Sequence, residues 1–362
     1  MKGIILHGGR GARLRPLTHT GPKQLIPVAN KPISQYVLEH LKRMGIKNIA
    51  IVLGDIGAQR VTSYYGDGSK FGVKIKYIDQ GAPKGIAHAI GLCEDFIEKE
   101  PFIVYLGDNL IKQDISGFVE DFEKSKCDAG FLLAKVDDPR SYGVAELDQH
   151  NRIVRVEEKP KKPRSNNVFV GVYLFTPQVF DIIRDLKPSN RNELEITDVI
   201  DRLVTAKDCR ITHCFVEGWW DDTGTPEAIL DANRYILDSE LQSANLGEVD
   251  KTANIKGRVF IDRGTKIKKE SVIRGPVCIG KSCEIGPGAY IGPYTSIGNR
   301  CVLRNTHIES SVVLDGTYID SNMRILDSLI GENACIKGKD DLPIGHRLVL
   351  GENSCLSVPE KQ

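Results

Sequence analysis

The chain has 362 residues, which is enough for two domains with a substantial core. Its 49 basic and 48 acidic residues balance, so the composition indicates neither a nucleic-acid partner nor an anionic membrane. No apolar run approaches the roughly 18 residues of a membrane span, and the N-terminus lacks a secretory signal pattern. Nine cysteines occur without a C-x-x-C pair, which argues against zinc and a disulfide framework and favours a reduced, cytoplasmic setting.

Residues 1–241 mostly alternate between strand and helix patterns. Buried strands are predicted at 3–6, 49–53, 73–78 and 102–106, and helices at 34–44, 58–65, 85–99 and 226–241. Strands spaced by such helices predict an α/β domain with a Rossmann-like parallel sheet and right-handed crossovers. Ligands of these sheets collect beyond the carboxyl ends of the strands, so we expect the site there.

The pattern changes to β between residues 128 and 175. Alternating segments are predicted to be strands at 129–134, 143–147, 153–156 and 168–175. They predict an antiparallel extension that makes the sheet mixed and covers the cleft. A further strand is predicted at 210–216, and a polar linker at 242–252 follows the last helix.

The first strand opens into a segment rich in glycine and positive charge, residues 8–23, here called the glycine–arginine loop. Its glycines are Gly8, Gly9, Gly11 and Gly21, and its cations are Arg10, Arg13, Arg15 and Lys23. Glycine lets backbone N–H groups turn toward a ligand and lets phosphate oxygens approach closely. The spacing is neither G-x-G-x-x-G nor a Walker loop. The combination predicts a triphosphate site, and the alternative is an ordinary turn with solvated arginines.

Two acidic positions also follow predicted strands. Asp108 comes directly after the strand at 102–106, where an Asp followed by Asn is often only a turn former. Asp221 and Asp222 follow the strand at 210–216. Because Mg²⁺ takes one or two carboxylates together with phosphate oxygens, these positions predict a magnesium site in the cleft.

Gln80 and Gly85 join a strand to a helix. The Gln80 amide offers a donor and an acceptor, which suits the edge of a pyrimidine, and Gly85 would let a base lie against the backbone. The alternative is a polar loop with a glycine that starts a helix. His88 lies within that helix and is interpreted as a surface or packed residue rather than a general base.

The glycine–arginine loop resembles the signature of the sugar-nucleotide pyrophosphorylases, G-G-x-G-x-R-L-x-P-x-T followed by P-K. The ending Pro22-Lys23-Gln24 is similar to that of the glucose-1-phosphate thymidylyltransferases, and the resemblance runs through about residue 237. His7 stands where this family usually has a small residue, and Ala12 where it usually has Thr or Ser. The C-terminal repeats described below suggest the long form of the family.

The resemblance implies Mg²⁺-dependent, in-line attack of glucose 1-phosphate on the α-phosphate of dTTP. It implies catalytic roles for Arg13, Lys23 and Lys159, and metal ligation by Asp108 and Asp222. The nucleotide-binding residues would be Leu6, Gly8, Gly9, Gly11, Gln24, Gln80, Gly85 and Asp108. The sugar-phosphate residues would be Gly143, Glu158, Lys159, Tyr173 and Arg191.

Several alternatives stay open beside this implication. Glu158 and Lys159 alone read as an exposed charged turn, and Thr197-Asp198, which follows Arg191, as an ordinary helix start. UTP, or GTP with mannose 1-phosphate, would keep the reaction and change the substrates. A non-catalytic regulatory subunit is the alternative of another class, although the expected catalytic residues are retained.

A six-residue period dominates the C-terminal region, predicted to run from 253 to 345 with a tail at 346–362. Ile or Leu recurs at 255, 261, 267, 273, 279, 285, 291, 297 and 303, with five-residue steps later. This is the hexapeptide repeat of a left-handed parallel β-helix, in which the aliphatic side chain points inward. Its cysteines occupy small inward positions. The flat sides of such a β-helix predict a homo-oligomer, a trimer or higher.

The β-helix raises the question of a second activity. Some two-domain relatives of the resembled family place an acetyl-coenzyme-A-dependent acetyltransferase on it, with a histidine base at a subunit interface. His307 is the only candidate inside the repeats, and His346 lies beyond them. A lone histidine on a β-helix side is usually a surface residue, so the structural reading is favoured.

Overall fold

The computed structural model of the protein describes residues 1–338. Its helices are α1 (Ile33–Arg43), α2 (Ala58–Tyr65), α3 (Ile86–Gly91), α4 (Glu94–Ile97), α5 (Ser116–Ser125), α6 (Val179–Arg184), α7 (Ile196–Thr205) and α8 (Pro226–Ser239). Within residues 1–338, none of them combines the length and apolar character needed to traverse a bilayer.

The strands of the N-terminal domain form one large mixed sheet and two short ribbons. They are β1 (Lys2–His7), β2 (Pro27–Val28), β3 (Lys31–Pro32), β4 (Asn48–Gly54), β5 (Lys74–Gly81), β6 (Phe102–Leu106), β7 (Leu110–Ile111), β8 (Ala129–Lys135), β9 (Gly143–Leu147), β10 (Ile153–Glu158), β11 (Asn167–Phe175), β12 (Ile211–Phe215) and β13 (Trp220–Asp221).

The predicted parallel sheet is confirmed in the centre of the domain. The main sheet has nine strands in the order β10-β9-β11-β6-β1-β4-β5, with β8 beside β11 and β12 beside β8. The four strands β6, β1, β4 and β5 are parallel, whereas β11 runs antiparallel to β6. The antiparallel extension therefore continues this same sheet through β11. Buried apolar clusters lie on both faces, which explains the continuous apolar runs of β1, β4 and β6.

The single helix predicted at 85–99 is wrong in one respect, because it is broken into α3 and α4. The break follows Gly91, and glycine is a poor residue for a helix interior. A Cβ at Gly91 would lie 3.1 Å from the Ile183 side chain of α6, so the glycine also permits close helix packing.

The predicted β-helix is confirmed as three flat sheets of stacked parallel strands. The strands are β14 (Ala244–Asn245), β15 (Glu248–Val249), β16 (Asn254–Lys256), β17 (Val259–Ile261), β18 (Lys266–Ile267), β19 (Val272–Arg274), β20 (Val277–Ile279), β21 (Glu284–Ile285), β22 (Tyr290–Ile291), β23 (Thr295–Ile297), β24 (Val302–Arg304), β25 (His307–Glu309), β26 (Val312–Val313), β27 (Tyr318–Asp320), β28 (Arg324–Leu326), β29 (Leu329–Ile330) and β30 (Cys335–Lys337).

The strand register follows the sequence period. Ile255 pairs with Ile273 three hexapeptides later, whereas Tyr290 pairs with His307 one residue short of three hexapeptides. Strands β14 and β15 lie inside the segment predicted as a linker, since Val249 already stands one hexapeptide before Ile255. The predicted tail at 346–362 and His346 lie outside the described residues.

A buried polar joint connects the two domains. The Asn233 amide nitrogen of α8 donates to the Tyr294 carbonyl at 2.9 Å, and its amide oxygen accepts from the Ser296 hydroxyl at 2.6 Å. The Asn30 side chain, between β2 and β3, donates to the Ile297 carbonyl at 2.7 Å. Because these amides replace solvent contacts on both sides, they fix how α8 and the β2–β3 ribbon sit on the β-helix.

Candidate active site

The glycine–arginine loop leaves β1 and folds back on itself around Gly11. Gly9 and Gly11 have φ angles of 95° and 56°, a region that favours glycine. A Cβ on Gly11 would lie 2.9 Å from Thr18 Cγ2 and 3.3 Å from Lys23 Cβ. The Thr18 hydroxyl donates to the Gly11 carbonyl at 2.8 Å. These contacts hold the Lys23 segment against the first turn of the loop.

Lys23 forms an ion pair with Asp108. Asp108 is buried and follows β6, the parallel neighbour of β1. Because the carboxyl ends of neighbouring parallel strands meet at one edge of a sheet, the two residues reach each other from distant parts of the sequence. Two predicted site residues are thus in direct contact.

A short antiparallel ribbon brings Asp222 to the same edge. Leu110 of β7 pairs with Asp221 of β13, so Asp222 leaves the ribbon at the same end at which Asp108, two residues before Leu110, approaches it. The Thr223 hydroxyl donates to the Asp108 carbonyl at 2.5 Å. Two strands of two residues each therefore hold the backbones of Asp108 and Asp222 close together.

Arg13 lies beside Asp222. A Cβ on Gly224 would lie 2.5 Å from an Arg13 guanidinium nitrogen and 3.4 Å from Asp222 Oδ1, so only a glycine leaves room for this approach. Arg13 and Asp222 line one cavity of about 720 Å³, which Tyr142 and Trp220 also line. The cavity thus combines a fixed positive charge with a carboxylate, an arrangement suited to phosphate oxygens and a cation.

The residues predicted to bind the base, Gln24 and Gln80, both approach Gly8 of the glycine–arginine loop. The Gln24 amide nitrogen donates to the Gly8 carbonyl at 3.0 Å, while its buried amide oxygen has no partner. The Gln80 amide nitrogen donates to the Gly85 carbonyl at 3.1 Å and lies 3.3 Å from His88 Nδ1. Because the Gly85 carbonyl oxygen can only accept, the Gln80 nitrogen must face it, and Gln80 Oε1 points toward Gly8.

His88 and Gly85 make local contacts that the sequence alone did not specify. His88 fits the interpretation as a surface or packed residue, and it packs against Gln80, with its Nδ1 3.3 Å from the Gln80 amide nitrogen. Its position in the first turn of α3, the helix that follows β5, is the signal that could have identified it as a neighbour of Gln80. Gly85 has a φ angle of 100°, and a Cβ there would collide with the Leu194 backbone, so backbone conformation and close packing together account for this glycine.

A second group of predicted residues surrounds Glu158. Its carboxylate accepts from Arg191 at 3.1 Å and from the Thr197 hydroxyl at 3.1 Å, and Lys159 Nζ lies 3.4 Å away. Gly143 pairs with Glu158 across β9 and β10. Thr197, interpreted from sequence as a helix start, therefore also orients Glu158.

Tyr173 lies close enough to both Glu158 and Asp108 for their charges to act on its hydroxyl. It is buried in β11 and pairs with Val104 of β6. Burial raises the pKa of its hydroxyl well above the ordinary value, and the nearby carboxylates of Glu158 and Asp108 raise it further. The phenol therefore stays protonated and is a potential hydrogen-bond donor.

Leu6 and His7 end β1 in the interior of the sheet. Leu6 is buried, and its carbonyl accepts from Gly107 at 2.9 Å. His7 packs edge-on against Tyr65 with ring centroids 6.1 Å apart, and both of its ring nitrogens lack a partner. Burial lowers the pKa of His7 to about 3 and outweighs the opposing effect of Asp108. The unexpected histidine is therefore a neutral packing residue.

Asp221 differs from its neighbour Asp222. Burial raises the pKa of Asp221 to about 6, and the adjacent Asp222 contributes to this increase. Asp221 Oδ1 accepts from the Thr223 backbone at 2.7 Å, a contact that shapes the turn. Asp221 is thus held by its own loop.

His307 lies on an outer face of the β-helix. Its side chain is exposed and stacks edge-on against Tyr290, with ring centroids 5.7 Å apart. The aromatic neighbour and the exposure match the surface role favoured from the sequence.

Comparison with known proteins places these features in a family. Residues 2–239 match the family described as Nucleotidyl transferase, and residues 273–356 match the GMPPB C-terminal domain. The low-salt glycan biosynthesis nucleotidyltransferase Agl11 of Haloferax volcanii is 46% identical over 359 residues, covering 99% of this chain and 100% of that protein. The glucose-1-phosphate thymidylyltransferase of Streptomyces griseus is 40% identical over 355 residues, covering 98% of each chain.

A solved structure matches the N-terminal part of the chain. It is described as a glucose-1-phosphate thymidylyltransferase from Bacillus anthracis in complex with a sucrose. The match has a TM-score of 0.62 and 41% identity, and covers 68% of this chain and 98% of that one.

Proposed function

The chain belongs to the nucleotidyl transferase family, and we propose that it makes dTDP-glucose and pyrophosphate from dTTP and glucose 1-phosphate. The observation that carries the proposal is the convergence of Lys23 and Asp108 with Arg13 and Asp222 at one edge of the sheet. Cations and carboxylates side by side suit a metal-bound triphosphate. The glycines of the glycine–arginine loop leave room for phosphate oxygens to come close to the backbone.

The reaction requires positioning and charge neutralisation rather than a covalent intermediate. A phosphate oxygen of glucose 1-phosphate forms a bond to the α-phosphorus of dTTP, and the bond from that phosphorus to the bridging oxygen breaks to release pyrophosphate. Arg13 stabilises the charge that develops on the α- and β-phosphates. Lys23 binds the α-phosphate and the incoming phosphate, and Lys159 anchors the sugar phosphate.

Mg²⁺ is the proposed cofactor, with Asp108 and Asp222 as its protein ligands. Two carboxylates beside a phosphate site are the hard oxygen donors that Mg²⁺ takes when the substrate supplies further oxygens. When bound, the cation neutralises phosphate charge. Lys23 already contacts Asp108, so the lysine and the metal share one carboxylate in this proposal.

The base and sugar contacts support the choice of substrates. Gln80 Oε1 and Gln24 Oε1 are acceptors suited to the N3–H of thymine or uracil. The thymine methyl adds one small apolar contact, so discrimination against UTP would be modest, and a UDP-sugar pyrophosphorylase is the alternative. Glu158, held by Arg191 and Thr197, is a rigid acceptor for sugar hydroxyls.

Pyrophosphate release from the full chain tests the proposal. The assay crosses dTTP, UTP, GTP, ATP and CTP with glucose, mannose and N-acetylglucosamine 1-phosphates. We expect the highest kcat/KM for dTTP with glucose 1-phosphate, UTP next, and no turnover after chelation of divalent cations. Release with GTP and mannose 1-phosphate alone would overturn the substrate assignment, and no release from any pair would overturn the reaction.

The same experiment separates the two remaining alternatives. Acetyl transfer from acetyl-coenzyme A to amino-sugar phosphates is measured in parallel, and abolition by His307→Ala would establish a second activity. A regulatory subunit would release no pyrophosphate. We further propose a homo-oligomer of three or more chains, which sedimentation of the purified protein tests.

A further inference from the structure

The β-helix contacts the glycine–arginine loop directly. Leu17 of the loop lies over Gly331, where an added Cβ would stand 3.2 Å from Leu17 Cδ2. Leu17 and Leu329 both pack against one apolar cluster formed by Leu230 of α8 with Val312 and Leu314 of the β-helix. A residue four positions from Arg13 is therefore seated on the C-terminal domain.

An ion pair crosses the same junction a few residues further along. Arg60 of α2 pairs with Glu332 of the β-helix. A Cβ on Gly21 would lie 2.7 Å from Arg60 Nη1, so the guanidinium covers the backbone two residues before Lys23. Both partners are exposed, and such pairs contribute little to stability. The pair instead limits where this part of the loop can move.

These contacts are isolated supports rather than a continuous interface. A cavity of about 1,410 Å³ lies between the loop and the β-helix, lined by residues of both. On the β-helix side, the Thr317 hydroxyl shares its proton between the Leu314 carbonyl at 2.7 Å and the Gly331 carbonyl at 3.0 Å. The Leu314 amide also donates to the Ile330 carbonyl at 2.9 Å, which ties this segment to the neighbouring coil. Because the β-helix holds Gly331 in place, a side chain added at this position would push Leu17 away.

From Leu17 the connection to the catalytic residues is short. Its neighbour Thr18 is buried and donates to the Gly11 carbonyl, and Gly11 in turn packs on Lys23. We propose that Leu329, Gly331 and Glu332, here called the loop brace, position the glycine–arginine loop so that Arg13 and Lys23 meet the nucleotide phosphates. The loop brace touches no substrate, and its residues are positioning residues. The readout of this proposal rests on the function proposed above.

Graded substitutions at Gly331 in the full chain test the loop brace. Gly331 does not adopt a positive φ, so the substitutions strain no backbone. Gly331→Ala and Gly331→Val insert one and three carbons against Leu17. We expect Gly331→Val to lower kcat/KM for the nucleotide about tenfold and Gly331→Ala to lower it less. The KM for the sugar phosphate should change less than the KM for the nucleotide, because Lys159 holds the sugar phosphate from outside the loop. Gly338→Ala is the matched control, because its Cβ would meet nothing closer than 3.6 Å.

A second change in the loop separates positioning from general damage. Leu17→Ala in the Gly331→Val chain removes the collision, so we expect it to restore at least half of the lost kcat/KM. A wild-type kcat/KM for Gly331→Val would overturn the proposal. So would a loss that Leu17→Ala leaves unchanged and that follows the fall in melting temperature.

Charge exchange tests the other support and does not depend on how Gly331→Val folds. We expect Glu332→Arg to lower kcat/KM about threefold, and Arg60→Glu in the same chain to restore it. Additive losses would overturn the role of this pair. If the wild-type chain itself releases no pyrophosphate, the proposed function fails, whereas normal wild-type turnover with unaffected variants rejects only the loop brace.

Discussion

The β-helix and the nucleotidyl transferase domain treat their buried polar groups differently. In the β-helix, inward hydroxyls bond to the next coil: Thr265 donates to the Gly280 carbonyl at 2.6 Å, and Ser271 to the Ile285 carbonyl at 3.2 Å. In the N-terminal domain, both nitrogens of His7 and one amide oxygen of Gln24 are buried without a partner. The inward hydroxyls Thr265 and Ser271 of the β-helix are satisfied within the repeat, with Ser321 as an exception, whereas the N-terminal domain keeps an acceptor beside its glycine–arginine loop.

This difference is informative because buried polar groups without partners are rare in folded proteins. The Gln24 oxygen lies where a nucleotide base is proposed to bind, so a ligand can supply the missing donor. Ser321 in the β-helix and His213 in the N-terminal domain are further unpartnered groups, and no predicted site residue contacts them in a described hydrogen bond. An unpartnered atom therefore points to function only where predicted site residues surround it.

Removal of Arg13 should separate activity from stability most clearly, because it should lower activity and leave the stability of the fold unchanged. We expect Arg13→Ala to lower kcat by roughly 10²–10³-fold, since charge developing on the phosphates loses a fixed cation. Arg10→Ala is the matched control, because Arg10 is exposed and pairs with Asp55 at 3.2 Å. Steady-state kinetics and thermal unfolding of both variants check this. Normal turnover by Arg13→Ala would show that the loop assignment is wrong.

The two neighbouring aspartates should separate metal binding from loop structure. We expect Asp222→Asn to lower kcat on the order of a hundredfold and to raise the Mg²⁺ concentration needed for half-maximal activity. Asp221→Asn should leave the Mg²⁺ requirement near that of the wild type, because Asp221 is held by Thr223. Magnesium titrations of both variants are the measurement. The reverse pattern would assign the metal to Asp221.

A core substitution in the β-helix should give the opposite result to Arg13→Ala. Ile285 is fully buried between coils, and we expect Ile285→Ala to lower the free energy of unfolding by about 2–4 kcal/mol through lost burial and a residual cavity. The kcat of the folded fraction should stay close to wild type, because Ile285 is not in the loop brace. Denaturant unfolding combined with active-site titration checks both. A large fall in kcat would show that the domains are coupled more widely than through Gly331.

The sequence predicted the β-helix and the central sheet because both depend on local repetition. Each Ile of the hexapeptide period from 255 to 297 needs the same environment, so one pattern specifies many coils. The parallel strands likewise follow from apolar runs spaced by helices. The predicted linker contains β-strands because Val249 continues the period through an otherwise polar segment.

The parts of the site that escaped prediction depend on distant contacts. Strands β7 and β13 bring Asp108 to Asp222, but two residues are too few to display a period. Thr197 and His88 occupy first turns of helices, where polar residues are common for local reasons, and only the fold places them beside Glu158 and Gln80. The resemblance named Glu158 and Gln80, and tertiary structure adds the residues that orient them.

The effect of acid on stability should also differ between the two domains. Within residues 1–338 the buried histidines, His7 and His40, both lie in the N-terminal domain. Burial lowers the pKa of His40 from 6.5 to about 4, so between these values the unfolded chain binds a proton that the folded chain excludes. His40 therefore leaves the free energy of unfolding unchanged above pH 6.5 and lowers it by up to about 3 kcal/mol as the pH approaches 4.

Substitution of His40 tests this difference. We expect His40→Asn to reduce the slope of the unfolding free energy between pH 6.5 and 4 and to leave the contribution of His7, because one of the two buried titrating histidines is gone. His307→Asn is the matched control, since the exposed His307 of the β-helix has no burial cost to remove. Denaturant unfolding at several pH values measures both slopes. An unchanged slope for His40→Asn, or an equal flattening by His307→Asn, would mean that acid sensitivity does not arise from the buried histidines of the N-terminal domain.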